Sequence, residues 1–570
     1  MVQIMSHEAL CGASIAQLKK YCEQLREEIF QTVAVRGGHL ASNLGVVELT
    51  VGLHRVFEFP KDKIIFDVGH QCYVHKLLSA RAERFFTLRQ RGGIAGFPKR
   101  SESSYDSYDT GHAGTSVSAA LGIAKARDLK GDDFQVVALS GDGSLNNGLV
   151  YEALNSLKIL NTKVLIILND NGMSISPTVG GTHEVLDEMK CGAASQEDVA
   201  LFERYGLKYM GVYNGNDLTE VIPALEQAKE ALASDSVLLH VTTRKGQGYA
   251  FCEQEPSRTH GISPAKPKSE YSAALGEELF AMAKEDERIV AVTAAMTDAL
   301  GLRPFFNKFP ERAYDVGICE EHASVLAAAL ATQGMRPYYA IYSTFLQRAF
   351  DEIIHDICGQ NLPVTFCIDR AGISGSDGET HQGVFDLSYL APIPNLTIAI
   401  PKNIAEFRAI LRESTHINGP LAIRYPREGE EGILDGIEVG KFEVLHSTMS
   451  DIIIYAAGER CIKLAQNVIL AAQKEGIEVS LVNARFARPL DTQMLLERKE
   501  KYVITLEDNV LRGGIGEAIA AVLVNSGKLV YSFGYRDAFI PHGDVAELME
   551  EFGLNADDIL QCIGECHARG

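Results

Sequence analysis

Short, continuously apolar runs (VVALS, KVLIILN, SVLLHV, RIVAVTA, PVTFCID, LTIAIP, DIIIYAA, EVSLVNA, KYVITLED) recur along the chain. They alternate with longer helical patterns such as YEALNSLKIL, NIAEFRAILRES and IKLAQNVILAAQKEG. A strand with no polar face must be covered on both sides, and helices that cross over between such strands make them parallel. The pattern therefore predicts an α/β chain with mostly parallel sheets flanked by helices. At 570 residues it is too long for one core and should divide into about three or four domains. Two stretches read as linkers: EQEPSRTHGISPAKPKSE (253–270), rich in Pro, Ser and charge, and PREGEEGILDGIEVG (426–440), rich in Gly and Glu. They set expected domains at 1–265, 270–430 and 440–570.

Composition narrows the function classes. With 54 basic against 75 acidic residues, the formal charge of −21 repels phosphate backbones and anionic membranes, so neither a nucleic acid nor a membrane is an expected partner. No apolar run approaches the ~20 residues needed to span a bilayer, and MVQIMSHEAL lacks the pattern of a secretory signal. Eleven scattered cysteines without a Cys-x-x-Cys suggest reduced thiols and a cytoplasmic protein. Cys562, Cys566 and His567 cluster near the end; three such groups without a second pair read as a loose tail rather than a zinc site.

One stretch carries specific chemistry: SGDGSLNNGLVYEALNSLKILNTKVLIILNDNGMSIS, from Ser140 to Ser176. A strand-like run leads into Gly141-Asp142-Gly143, which puts Asp142 at the C-terminal edge of a parallel sheet, where α/β folds bind ligands. A helix follows, whose N-terminal amides favour an anion, and the glycines let a phosphate approach the backbone. The next strand ends at Asn169-Asp170-Asn171, so the crossover should return Asn171 beside Asp142, 29 residues earlier. A carboxylate, an amide oxygen and a backbone carbonyl, joined by phosphate oxygens and water, would give Mg²⁺ its six oxygens. Each half alone is a common turn or strand end. There is no G-x-x-x-x-G-K-[ST] in this stretch, and GDGSLNNG does not fit G-x-G-x-x-G.

The pair resembles the thiamine diphosphate signature, GDG followed some thirty residues later by an Asn-rich strand end. Further blocks extend the resemblance over nearly the whole chain: RGGHLASNLGVVELTVGLH (36–54), FDVGHQCYVHK (66–76), GHAGTSVSAALGIA (111–124), KGQGY (245–249), DVGICEEHA (315–323), YSTFLQRAFDEIIHD (342–356), DRAGISGSDGETHQGVFDLSYL (369–390) and RYPRE (424–428). In this order they are similar to the 1-deoxy-D-xylulose-5-phosphate synthases of the transketolase-like group. The third region, with EDNVLRGGIGEAI and AFIPHGD, resembles that group's C-terminal domain. Transketolases and 2-oxo acid dehydrogenases share the cofactor, but the YSTFLQRAFD and DRAGISGSDGETHQG blocks are closer to the synthases. A non-catalytic subunit of the same fold would be expected to lose the metal aspartate or activating glutamate, and both residue types are present.

The resemblance implies thiamine diphosphate and Mg²⁺ as cofactors, pyruvate and D-glyceraldehyde 3-phosphate as substrates, and a homodimer. Thiamine catalysis needs a carboxyl group on the cofactor's aminopyrimidine, and Glu320 in CEEHA matches it; Glu321 stands where a glutamine is more usual. Glu320 would belong to the second domain and the diphosphate site to the first. Cofactor contacts carried over from the family are His70, Gly111, His112, Ala113, Gly143, Ser144, Asn171, Ile175, Tyr249 and Phe345, with Asp142, Asn171 and the Met173 carbonyl on the metal. Ala113 replaces a frequent serine, so only a backbone contact survives there. Arg348 and Arg427 match phosphate-binding arginines, with Tyr342 and Asp377 in the same constellation. His39, His70, His112, His260 and His381 each lie in or beside a glycine-containing loop, which suggests a proton-handling pocket. Among them His39 and His381 are expected to bind the acceptor and transfer protons, and His260, in THGIS, lacks the aromatic that usually precedes it. The stretch from Ser176 to Lys245 is shorter than is usual in the family, which reads as a trimmed surface loop, the alternative being an altered lid that changes substrate entry.

Overall fold

The computed structural model describes residues 2–174, 176–192, 196–263, 270–433 and 436–569. The chain forms two compact units: Met1–Lys266 with Gly317–Cys319, and Pro267–Val316 with Glu320–Gly570.

The first unit is built on one sheet of five parallel strands in the order β1-β2-β3-β5-β4. These are β1 (Lys63–Phe66), β2 (Val136–Gly141), β3 (Leu165–Asp170), β4 (Leu207–Asn214) and β5 (Ser236–Thr242). Their alternation sorts the core into two layers. Ile64, Phe66, Val137, Leu139, Leu165, Ile167, Val237, Leu239 and Val241 join one buried cluster, while Ile65, Val136, Ala138, Ile166, Leu168 and Leu238 join another. Successive side chains point to opposite faces, so two apolar clusters from one set of strands mean a sheet covered on both sides. The helix Gly148–Leu160 shows how the sequence fixes the crossover. Its start is capped by Asn147, whose side chain accepts from Leu149 N, and its end by Asn161 in the left-handed conformation. Val150, Ala153, Leu154 and Leu157, at helical spacing, form its buried stripe.

The second unit holds two sheets. One has the order β15-β10-β11-β9-β8-β6-β7, from β6 (Ile289–Thr293), β7 (Ala313–Asp315), β8 (Arg336–Tyr342), β9 (Thr365–Asp369), β10 (Thr397–Ala399), β11 (Leu421–Arg424) and β15 (Phe486–Arg488). The other has the order β12-β14-β13-β16-β17, from β12 (Glu443–His446), β13 (Ile452–Ala457), β14 (Ser480–Asn483), β16 (Tyr502–Val510) and β17 (Leu529–Tyr535). All pairings are parallel except β10 with β15 and β12 with β14. Strand β15 comes from the C-terminal third of the sequence yet closes the edge of the preceding sheet. A buried hydrogen bond ties the same two regions: Arg424, paired with Asp386 at 2.9 Å on its own side, donates to the Asp508 carbonyl at 3.1 Å.

The stretch expected as the first linker begins on the last residues of the helix Ala250–Gln254, and Ile262 within it bridges Gly38 by paired backbone bonds of 2.9 and 2.8 Å; residues 264–269 lie outside the described residues. The C-terminal cluster is no loose tail: Cys562, Cys566 and His567 lie on the helix Ala556–Arg569, where Cys566 is buried beside Ile559 and Ile563. Among the described residues no group of three His, Cys, Asp or Glu is arranged to hold a metal, and no helix is long and apolar enough to cross a membrane. None of the eleven cysteines is in a disulfide.

Candidate active site

In the first unit β2 and β3 run parallel with Gly141 opposite Asn169, so Asp142 and Asn171 emerge at the same sheet edge. The Asn171 amide donates to Asp142 Oδ1 at 3.3 Å, and Thr178 Oγ1 donates to Asp142 Oδ2 at 2.6 Å. Burial, with Asp170 adding repulsion, pushes the Asp142 carboxyl up to about 6. Asp170 itself is tied to His240 at 3.0 Å and Lys190 at 3.2 Å. Met173 N donates to Asn171 Oδ1, which folds the NDNGM loop over this edge. Gly143 follows Asp142 at the start of a short helix, and a Cβ there would stand 3.0 Å from the Ser174 side chain. Two oxygen donors and a turn without side-chain bulk fit a hydrated divalent cation and a diphosphate. Ser144 lies in the same turn, and Ile175 lies outside the described residues.

The histidine loops converge beside it. Ring centroids of His39 and His70 are 5.7 Å apart, those of His39 and His260 5.4 Å, and those of His70 and His260 5.2 Å. His70 Nδ1 is shut off from solvent and has no hydrogen-bond partner among the described residues, and His260 Nδ1 lies 3.3 Å from Ser42 Oγ. Loss of water, with neighbouring positive charge, holds both His70 and His260 well below the ordinary histidine range. Asn43 sets the two loops: its Nδ2 donates to the carbonyls of His39 at 2.6 Å and His70 at 2.7 Å, and its Oδ1 accepts from Tyr73 N. Asp67 does the same for the loop of Gly111, His112 and Ala113, accepting from Gly114 N at 2.8 Å and Ser116 N at 3.1 Å. Gly114 has a positive φ of 86°, and a Cβ there would stand 2.5 Å from Asn147 Oδ1, so no side chain fits. Lys245 donates to the Ser174 carbonyl; burial lowers its amine to about 8 while Asp142 draws it back up.

In the second unit Glu320 opens the helix Glu320–Thr332 and is 3% exposed. Arg348 Nη1 stands 3.7 Å from Glu320 Oε2, and that oxygen has no hydrogen-bond partner among the described residues. Burial raises the Glu320 carboxyl to about 7, against the pull of Arg348. A buried carboxyl poised near neutrality with an unused oxygen fits a proton exchange with a ring nitrogen. Phe345 stacks on Tyr342 with centroids 5.5 Å apart and meets the His381 ring edge-on at 5.6 Å. Arg370 lies over the Tyr342 ring at 4.4 Å and donates to its hydroxyl at 2.7 Å. Arg427 pairs with Glu270 at 3.1 Å.

Residues 1–197 and 193–243 match the family model described as 1-deoxy-D-xylulose-5-phosphate synthase, 268–429 the transketolase pyrimidine-binding domain, and 440–559 the transketolase C-terminal domain. A curated 1-deoxy-D-xylulose-5-phosphate synthase of Clostridium tetani is 44% identical over 600 residues, covering 96% of each chain. The chain belongs to the 1-deoxy-D-xylulose-5-phosphate synthase family. A second member, from Pelotomaculum thermopropionicum, is 42% identical over 621 residues, covering 100% of this chain and 97% of its own. Among solved structures, a transketolase of Campylobacter jejuni has 20% identity and a TM-score of 0.45 over 97% of this chain. Members of this synthase family are enzymes of the transferase class, and the family implies thiamine diphosphate as cofactor.

Arg348 sits beside Glu320, whereas Arg370, which no sequence motif singles out, joins Tyr342. The Tyr249 ring stacks on Phe30 at 4.5 Å and its hydroxyl donates to Glu27 at 2.7 Å. The loop of Asp377 and His381 is held by Gln382. Its Oε1 accepts from Ser374 N and Gly375 N, and its Nε2 donates to the carbonyls of Gly375 and Pro541, all at 2.7–3.0 Å. His381 Nδ1 lies 2.9 Å from Thr380 Oγ1.

Proposed function

We propose that this chain condenses pyruvate with D-glyceraldehyde 3-phosphate, releasing CO₂, to give 1-deoxy-D-xylulose 5-phosphate, the entry to the non-mevalonate isoprenoid route and a precursor of thiamine and pyridoxal. The observation that carries the reading is the Glu320 carboxyl, buried at the start of the helix Glu320–Thr332 beside Arg348 and raised to about 7 by that burial. Bound thiamine diphosphate supplies a carbon nucleophile and a sink for the electrons left by CO₂, which no side chain offers. Glu320 would hold or release a proton at Oε2 toward the aminopyrimidine. Asp142, Asn171 and the Met173 carbonyl would hold Mg²⁺, and Lys245 adds a cation beside the diphosphate turn. His70 and His260, kept neutral by desolvation at pH 7, can accept a proton from a substrate hydroxyl. Arg370 and Arg427 would take the acceptor's phosphate through planar, charge-assisted hydrogen bonds.

The same proposal includes three functional domains at 1–265, 270–430 and 440–570, a homodimer, and a cytoplasmic location. Sedimentation of the purified protein tests the dimer. For the reaction, the products of pyruvate plus glyceraldehyde 3-phosphate are analysed by mass with and without thiamine diphosphate and Mg²⁺. A pentulose phosphate formed only with both supports the reading; no product under any condition overturns it.

A further inference from the structure

The pair between Arg427 and Glu270 is fixed by the backbone rather than by chance side-chain contact. Glu270 bridges Glu428 across a short antiparallel contact, and the next residue, Tyr271, donates its amide to the Arg427 carbonyl at 3.2 Å. The side chains then meet at 3.1 Å, with 38% of Arg427 and 34% of Glu270 exposed. An ion pair this open to water contributes little to stability. Its electrostatic reach is more telling. Glu270 acts on Arg370 and on Asp369, and Arg427 acts on the Tyr342 hydroxyl that Arg370 binds. One carboxylate is thus paired with Arg427 and lies within electrostatic reach of Arg370, the two arginines that would take the acceptor's phosphate. A phosphate monoester carries about −1.5 to −2 at pH 7 and three acceptor oxygens, so it outcompetes a single exposed carboxylate for those guanidinium groups.

We propose that Glu270 is an internal stand-in for the acceptor's phosphate: its carboxylate holds Arg427 until a phosphorylated aldehyde displaces it, and the residue thereby moderates the enzyme's preference for phosphorylated acceptors. This rests on Arg427 serving as a phosphate ligand. The competition also weakens the hold on the phosphorylated product and so aids its release. The chemistry recognised is a phosphate monoester, whether on a substrate, a product or free in solution.

The test uses holoenzyme carrying Glu270→Gln, Arg427→Ala or both. KM is measured for D-glyceraldehyde 3-phosphate and for unphosphorylated D-glyceraldehyde, with the inhibition constant of inorganic phosphate. In Glu270→Gln the ratio of the unphosphorylated to the phosphorylated KM rises about two- to fivefold, the reach of an exposed ion pair, and inorganic phosphate inhibits correspondingly better. Both changes vanish in the Arg427→Ala background. If Arg427→Ala leaves the glyceraldehyde 3-phosphate KM unaltered, the phosphate site itself is misassigned and the proposal falls with it. If Arg427→Ala weakens that substrate but Glu270→Gln leaves the ratio unchanged or lowers it, the phosphate site stands and the proposal for Glu270 is overturned.

Discussion

Glu320 and Arg348 face each other at 3.7 Å in a setting where the carboxylate is 3% exposed, and the arginine does not bring the carboxyl back to its ordinary acidity. Desolvation wins over a single cation held beyond hydrogen-bond distance.

The first prediction follows from that balance. A carboxyl raised from 4.5 to about 7 binds its proton more tightly when folded, so its stabilising contribution is full below about 4.5 and is lost as pH rises through 7. Glu320→Gln should therefore be more stable than the parent at pH 8 in the absence of cofactor, by an amount on the order of 1–3 kcal/mol, with the difference vanishing only below about pH 4.5. Its turnover should fall by about 10²–10⁴-fold. Thermal melts across pH and steady-state rates check the two halves; a variant of near-parental activity would remove Glu320 from the chemistry.

A second prediction concerns Thr178, which donates to Asp142 Oδ2 at 2.6 Å. Without that hydroxyl the carboxylate is free to turn away from Asn171, and groups that orient a metal ligand are worth about 10–100-fold in affinity. Thr178→Val should raise the Mg²⁺ concentration needed for half-maximal activity by roughly tenfold at the low end of that range. An unchanged Mg²⁺ titration would mean that Asp142 is not oriented through Thr178.

The two arginine roles can be separated. Arg370 both covers the Tyr342 ring and donates to its hydroxyl, a geometry that a lysine cannot reproduce. Arg370→Lys should raise the glyceraldehyde 3-phosphate KM about tenfold or more, with pyruvate much less affected. Arg348→Ala should instead lower kcat for all acceptors, because its partner is Glu320. The opposite assignment of the two kinetic signatures would restore Arg348 as the phosphate ligand.

What the sequence reveals and what it hides divide along one physical line. Asp142 and Asn171 are legible because a strand, a crossover helix and a parallel strand return the chain to one sheet edge, a rule that needs no tertiary detail. The histidines are legible as loop residues, but their mutual spacing depends on Asn43 bonding two carbonyls at once, which leaves no local pattern. Arg370 follows the end of β9 in a left-handed conformation, φ 61°, and turns back onto Tyr342 at the end of β8. Only the pairing of those two strands brings them together. Lys245 reads as part of a glycine-rich block, and nothing in KGQGY says that its amine is buried near Asp142. Strand β15 crosses the expected boundary near residue 440 because three residues at a sheet edge are too short a signal to assign to either side.

The last prediction tests the loop that carries Asp377 and His381. Gln382 is 2% exposed and spends its whole amide on backbone: Ser374, Gly375 and, from the C-terminal third of the chain, Pro541. Removing a buried partner leaves each of these groups unsatisfied, at about 1–3 kcal/mol apiece, so the loop loses its anchor before the domain loses its core. Gln382→Leu should raise the glyceraldehyde 3-phosphate KM about tenfold while lowering kcat less, since Glu320 lies on a different element. Gln382→Glu keeps the acceptor for Ser374 and Gly375 but loses the donor to Pro541 and Gly375, and should fall between the two. Equal losses in kcat and KM for both substrates, accompanied by a large drop in melting temperature, would show that Gln382 supports the fold as a whole rather than the placement of His381.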